Sequence, residues 1–159
     1  MRQLAQRNAE VRAGHRRLRT GLWPYLYRAE LATLLTAPVI FSVAVPFVVL
    51  DAWVWIYQAV CFRAWGIRPV RRRGYFAIDR HKLAYLNAFE KFNCLFCSYA
   101  NGLIAYVGEV AARTEQYWCP IRHARRTLRP HSHYDAFVNY GDAAAYRRQL
   151  KRLRTALGE

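Results

Sequence analysis

The chain has 159 residues, 54% of them hydrophobic, and a formal charge of +15 at pH 7. That length holds one domain of ordinary size, and less once a membrane segment is subtracted. Four cysteines in so long a chain exclude a disulfide-stapled mini-domain. The positive surplus points to anionic lipid or nucleic acid as surroundings and contributes little to fold. Arginine supplies 22 of the 25 basic residues, as phosphate pairing favours, although GC-rich codon usage gives the same bias.

Residues 1–30 form a basic N-terminal segment with seven arginines. Residues 1–20 are expected to be a polar helix with a thin apolar line at Leu4, Val11 and Leu18, ended by Gly21. It suits an anionic membrane surface or a solvated terminus equally. No cleavable leader is expected, because the first apolar run begins only at Leu31 and has no A-x-A site nearby. Reduced cysteines in a cytoplasmic setting follow from that expectation.

Residues 31–62 are expected to be the membrane segment. Residues 31–50 carry no charge, and aromatic residues flank them at Trp23, Tyr25 and Tyr27 and again at Trp53, Trp55 and Tyr57. About 20 apolar residues between two aromatic belts match a spanning helix. Pro38 and Pro46 interrupt the run, and proline bends a helix by removing a hydrogen bond. Seven basic residues precede Leu31 and seven lie between Arg63 and Lys82, so the positive-inside bias is silent. Two topologies follow: a single kinked span, or a re-entrant hairpin that returns both basic flanks to one face. Unpaired backbone at membrane depth disfavours the hairpin. Asp51 is placed at headgroup depth by its tryptophan neighbours, and Cys61 is a packed apolar residue.

Residues 63–78 form a basic loop, in which Arg71, Arg72 and Arg73 are candidate lipid-phosphate contacts. Residues 79–126 form a helical Cys/His core. Asp79 is the expected N-cap of a helix running from Arg80 to about Gln116. Tyr85, Phe89, Phe92, Phe96, Tyr99, Leu103, Tyr106 and Val110 alternate at spacings of four and three, a continuous apolar stripe. The stretch from Phe89 to Leu103 on it is a candidate face for a partner protein or a second copy.

Beside this stripe runs a polar line of Asn87, Glu90, Cys94, Cys97 and Asn101. Two cysteines at i and i+3 share a helix face and can hold one metal. Pro120 suits the first position of a new helix, which would put Cys119 at its N-cap, where the positive helix end favours a thiolate. His123 lies four residues on. Cys94, Cys97, Cys119 and His123 thus compose a candidate Cys3His set, with Glu90 and Asn101 as supporting neighbours. Structural zinc is the expected metal. An iron–sulfur cluster or a redox dithiol is the alternative, since C-x-x-C inside a helix departs from a zinc knuckle.

Residues 127–159 form a basic tail, preceded by the candidate anion contacts Arg125 and Arg126. His131 and His133 lie in a turn, where exposed histidines usually carry no chemistry. Asp142 caps a last helix with Leu150, Leu153 and Leu157 on one face and basic residues around it.

The block RHKLAYLNAFEKFNCLFCSYANGLIAYV together with ARTEQYWCPIRHARR resembles small, functionally uncharacterised bacterial inner-membrane proteins. The resemblance covers the central third and implies no activity, cofactor or catalytic residue. The resulting expectation is an all-α, membrane-anchored protein: one kinked transmembrane or re-entrant helix, a long amphipathic helix, and a short helical basic C-terminal region. It would reside in the bacterial inner membrane with the Cys/His region facing the cytoplasm. The expected role is a non-catalytic accessory or interaction protein with a zinc site, held to anionic lipid. An electron-transfer subunit is the alternative. Nucleic-acid binding is least favoured, since no base-reading motif is present. No paired catalytic carboxylates, Ser–His–Asp pattern or phosphate-binding glycine loop points to an enzyme.

Overall fold

A computed structural model describes residues 10, 11, 13–15, 17–28 and 30–159, with Leu26 and Arg28 described at the backbone only. Leu4, in the expected apolar line of the N-terminal helix, lies outside the described residues. Val11 and Leu18 on that line are exposed. Five helices follow: α1 (Leu22–Arg28), α2 (Leu31–Ser42), α3 (Ala44–Tyr57), α4 (Ala88–Trp118) and α5 (Ala143–Thr155). Among the described residues there is no strand, only an isolated parallel bridge between Ile121 and Val138.

From Leu31 to Trp65 the chain is one 35-residue helical path, long and apolar enough to cross a membrane. Val43, between α2 and α3, keeps right-handed helical angles (φ −63°, ψ −18°), so the chain does not reverse there. The interruption has a local cause: Pro46 cannot donate to the carbonyl one turn back, and its ring crowds that carbonyl. None of the most apolar 18-residue window is buried. α4 also meets the length and composition condition for a spanning helix, with a third of its apolar window buried.

Beyond Tyr57 the helix widens into a π-turn over Gln58–Phe62, extends through Arg63–Trp65, and stops at Gly66. Gly66 has φ 68°, the left-handed conformation that glycine adopts most readily. The Ile67 N–H then donates to the Phe62 carbonyl at 2.8 Å and the Gly66 N–H to Arg63 at 3.3 Å. These two bonds are the pair that closes a helix end around a glycine.

Two compact units are formed by interleaved pieces of chain: Met1–Phe47 with Phe76–Gly102, and Val48–Tyr75 with Leu103–Glu159. The segment 79–126, expected as one core, is divided between them. In the first unit Phe41 meets Phe89, Phe92 and Phe96 at ring-centroid distances of 6.3, 5.2 and 5.7 Å. Half of the aromatic stripe is therefore used within the chain, while Phe92 stays 53% exposed.

The second unit has the better-defined core. Phe62, Leu103, Tyr106, Val110, Phe137, Val138, Leu153 and Leu157 are buried there. Asp142 caps α5 as expected, accepting the Ala145 N–H at 2.8 Å. The leucine face of α5 is turned inward, with Leu153 and Leu157 buried, so that face is taken by the chain's own core. Trp65 stacks on Tyr117 with centroids 5.4 Å apart and planes 15° apart, and the Arg154 guanidinium lies 4.7 Å from the Tyr117 centroid.

The start of α4 corrects the sequence expectation. Asp79 opens only a short 3-10 turn, Arg80–Lys82, and α4 begins eight residues later, at Ala88. The cap is Asn87: its side-chain oxygen accepts the Glu90 N–H at 2.9 Å, and a Glu90 carboxylate oxygen accepts the Asn87 N–H at 2.8 Å. This reciprocal pair satisfies amides that the first helical turn leaves free.

Candidate functional site

Cys94 and Cys97 lie in α4, half-buried and exposed respectively. α4 runs unbroken from them to Trp118, immediately before Cys119. Among the described residues no group of three or more His, Cys, Asp or Glu side chains is placed to hold a metal ion. All four cysteines are free thiols.

The local chemistry of each member also departs from expectation. No helix begins at Pro120; the chain there pairs with Val138, through Val138 N–H to the Pro120 carbonyl at 2.9 Å and Arg122 N–H to the Val138 carbonyl at 2.8 Å. Cys119 therefore meets the carbonyl end of α4, where its own N–H donates to Glu115 at 2.8 Å. His123 stacks on Tyr134 at 6.1 Å, and its N–H donates to the Tyr134 hydroxyl at 2.8 Å. Glu90 is committed to the α4 cap, and Asn101 donates to the Cys97 backbone carbonyl at 2.8 Å.

Of the candidate anion contacts, Arg71, Arg73, Arg125 and Arg126 are exposed. Arg72 is engaged: its guanidinium reaches both Asp51 carboxylate oxygens, at 3.2 and 2.5 Å. The carboxylate at the end of the apolar run thus has a cationic partner 21 residues on. Gln58, one of the few buried polar residues, joins three stretches of the second unit. Its oxygen accepts the Val70 N–H at 2.8 Å and its amide donates to the Tyr106 hydroxyl.

A dense polar cluster among the described residues lies outside the expected site. The 131–133 turn docks on α4 through His131 Nε2 to Glu115 at 3.0 Å and His133 Nε2 to Glu109 at 3.1 Å. His133 Nδ1 meets the Gln116 side-chain oxygen at 2.6 Å. Gln116 is oriented from its other side, because its Nε2 donates to the Leu153 carbonyl at 2.8 Å. Both ring nitrogens of His133 therefore lie against side-chain oxygens of α4. Arg113 Nε donates to the same Glu109 oxygen at 2.8 Å and its terminal nitrogen to the Arg68 carbonyl at 2.7 Å. Burial pushes the Glu109 carboxyl up. Hydrogen bonds from Arg113 and His133, with their charges, outweigh burial and hold it below its ordinary value. The signal available in sequence was Glu109, Arg113 and Gln116 on one face of α4, with an H-x-H turn able to fold back on it.

Beside this cluster runs a groove of about 380 Å³ lined by Val54, Tyr57, Val107, Val110, Thr114 and Trp118, among others. Its two hydroxyls bond one another, Tyr57 to Thr114 at 2.9 Å, and Thr114 also donates to the Val110 carbonyl at 2.8 Å.

No protein-family model, curated protein or solved structure matches the chain. What the fold itself defines is a helical protein with two helices long and apolar enough to cross a membrane.

Proposed function

We propose that the protein is a membrane-anchored, non-catalytic interaction protein. Its Leu31–Trp65 helix enters the bilayer, and its second unit acts as a basic module at the inner face of a bacterial membrane. One observation carries this: no residue in the most apolar window of the 35-residue helix is buried. In water such a face would be costly, whereas hydrocarbon about 30 Å thick accommodates twenty helical residues. Exposed Trp53 and Trp55 near its C-terminal end suit the headgroup region. Exposed Arg71 and Arg73 suit anionic lipid beyond it.

α4 is assigned to the aqueous side in its C-terminal half, since Glu109, Arg113 and Glu115 there are bonded to a polar turn. The free state of all four cysteines supports a reducing, cytoplasmic side. Zinc on Cys94, Cys97, Cys119 and His123, with an iron–sulfur cluster as the alternative, is a separate proposal that draws only on the spacing of those residues. The partner protein would use the surface left exposed around Phe92.

The test is fractionation and thiol labelling in bacterial cells. The chain should stay with membranes through alkaline carbonate, and exposed Cys119 should react with a membrane-impermeant maleimide only after lysis. Release by carbonate would overturn the anchoring, and labelling in intact spheroplasts would overturn the orientation.

A further inference from the structure

We propose that the outer face of α5 binds the phosphate backbone of a nucleic acid without reading its sequence. Arg147, Arg148, Lys151 and Arg152 are exposed along that face, as two pairs one helical turn, about 6 Å, apart. α5 contains no acidic residue, and among the described residues none of the four pairs with a carboxylate. Other cations of the same unit are committed within the chain. Arg72 pairs with Asp51 and Arg113 with Glu109, and Arg154 holds Tyr117 through its carbonyl at 2.8 Å and its ring. Like charges four residues apart, Arg147 with Lys151 and Arg148 with Arg152, repel one another on a helix. A polyanion laid along the face relieves that repulsion.

Position and composition choose among polyanions. α5 is fastened just beyond the end of the apolar helix, where the Arg68 N–H donates to the Leu157 carbonyl at 2.8 Å. It is also held to the last turn of α4, where Gln116 Nε2 donates to the Leu153 carbonyl at 2.8 Å. From Asp51 to Trp65 the helical path rises roughly 20 Å, more than twice the ~8 Å Debye length at physiological salt. With Asp51 at headgroup depth, the headgroups are screened from α5, and its partner comes from the aqueous side. The proposal rests on the membrane-anchored reading for this step alone. The exposed positions of α5 are Ala143, Ala144, Thr155 and the four cations, with no aromatic or large aliphatic side chain among them. A protein interface centres on such anchors, whereas a nucleic-acid interface is polar and strongly positive. Arginine pairs bidentately with phosphate oxygens, and phosphate contacts need no base-reading motif.

The experiment titrates the full chain, in phosphatidylcholine nanodiscs, with a DNA duplex of about 20 base pairs at several salt concentrations. The first readout is acetylation of the three lysines, followed by mass spectrometry. Duplex should protect Lys151 and leave exposed Lys82 reactive. The second is affinity against salt: four phosphate contacts give a log–log slope of roughly −3.6, a loss of about 10²-fold between 50 and 200 mM salt. Arg147→Gln, Arg148→Gln, Lys151→Gln and Arg152→Gln together should remove most of that slope, while Arg71→Gln with Arg73→Gln should leave it. Undiminished acetylation of Lys151 under saturating duplex would overturn the proposal, as would an unchanged slope in the α5 variant. Protection of Lys151 by discs containing phosphatidylglycerol, with no duplex present, would overturn it in favour of lipid headgroups. Tighter binding of poly-glutamate than of duplex at equal charge would overturn it in favour of an acidic protein. A chain that does not enter discs overturns the anchoring alone, and the Lys151 footprint read in detergent then decides the nucleic-acid surface.

Discussion

The Gln58 side-chain oxygen accepts the backbone N–H of Val70 at 2.8 Å, both residues being buried. The same carboxamide reaches Tyr106 on α4, so one side chain ties the end of the apolar helix to the loop after it and to the long helix. Gln58→Leu keeps the volume and removes the acceptor. A buried N–H without a partner costs about 1–3 kcal/mol, which in a chain of this size lowers the thermal midpoint by roughly 3–10 °C. Thermal unfolding in detergent reads this directly. An unchanged midpoint would mean the linkage contributes nothing.

Acid should release the 131–133 turn. Glu109 sits below its ordinary value in the folded chain, so it contributes stability above the ordinary carboxylate range and loses it as pH falls through the lowered value. The groups facing it are Arg113 on its own helix and Ser132 and His133 on the turn. Hydrogen exchange across residues 131–137 should show protection near neutrality that collapses only as pH falls below the ordinary carboxylate range. Glu109→Gln should weaken protection near neutrality and remove that acid step. An identical pH profile in the variant would show that another group controls the turn.

Asn87→Ala should destabilise α4 by about 0.5–2 kcal/mol, the usual cost of a lost N-cap, and Asp142→Ala should do the same to α5. Asp79→Ala should be close to neutral, because Asp79 does not cap α4. Midpoints of chemical unfolding for the three variants check the ranking. An Asp79 variant worse than the Asn87 variant would place the start of α4 where the sequence pattern alone puts it.

That comparison shows where sequence was informative. The uncharged run, the aromatic stripe and the Asp142 cap were legible because each depends on periodicity or on one local bond. The start of α4 was misread because the stripe extends back to Tyr85, four residues before Phe89, while the chain becomes helical only after the Asn87–Glu90 cap. The N-x-x-E signature is present in the sequence, but Asn87 and Glu90 also fall on the polar line that contains Cys94 and Cys97. The polar turn on α4 was hidden for a different reason. His131 and His133 gain partners only when a loop some 15–24 residues distant folds back on Glu109, Glu115 and Gln116. The π-turn at Gln58 has no periodic signature either, since Gln58 reads as an ordinary polar residue at a helix end.

The cysteines supply the last prediction. The spacing C-x2-C-x21-C-x3-H fits a zinc formula, yet among the described residues no group of three or more His, Cys, Asp or Glu side chains is placed to hold a metal ion. Elemental analysis of anaerobically purified protein should therefore find well under one zinc or iron per chain. Cys94→Ser, Cys97→Ser and Cys119→Ser should each leave the fold and membrane insertion intact, with no visible absorption lost. One zinc per chain, released together with the fold in Cys94→Ser, would establish the metal site. A coloured, iron-containing protein would restore the electron-transfer alternative instead.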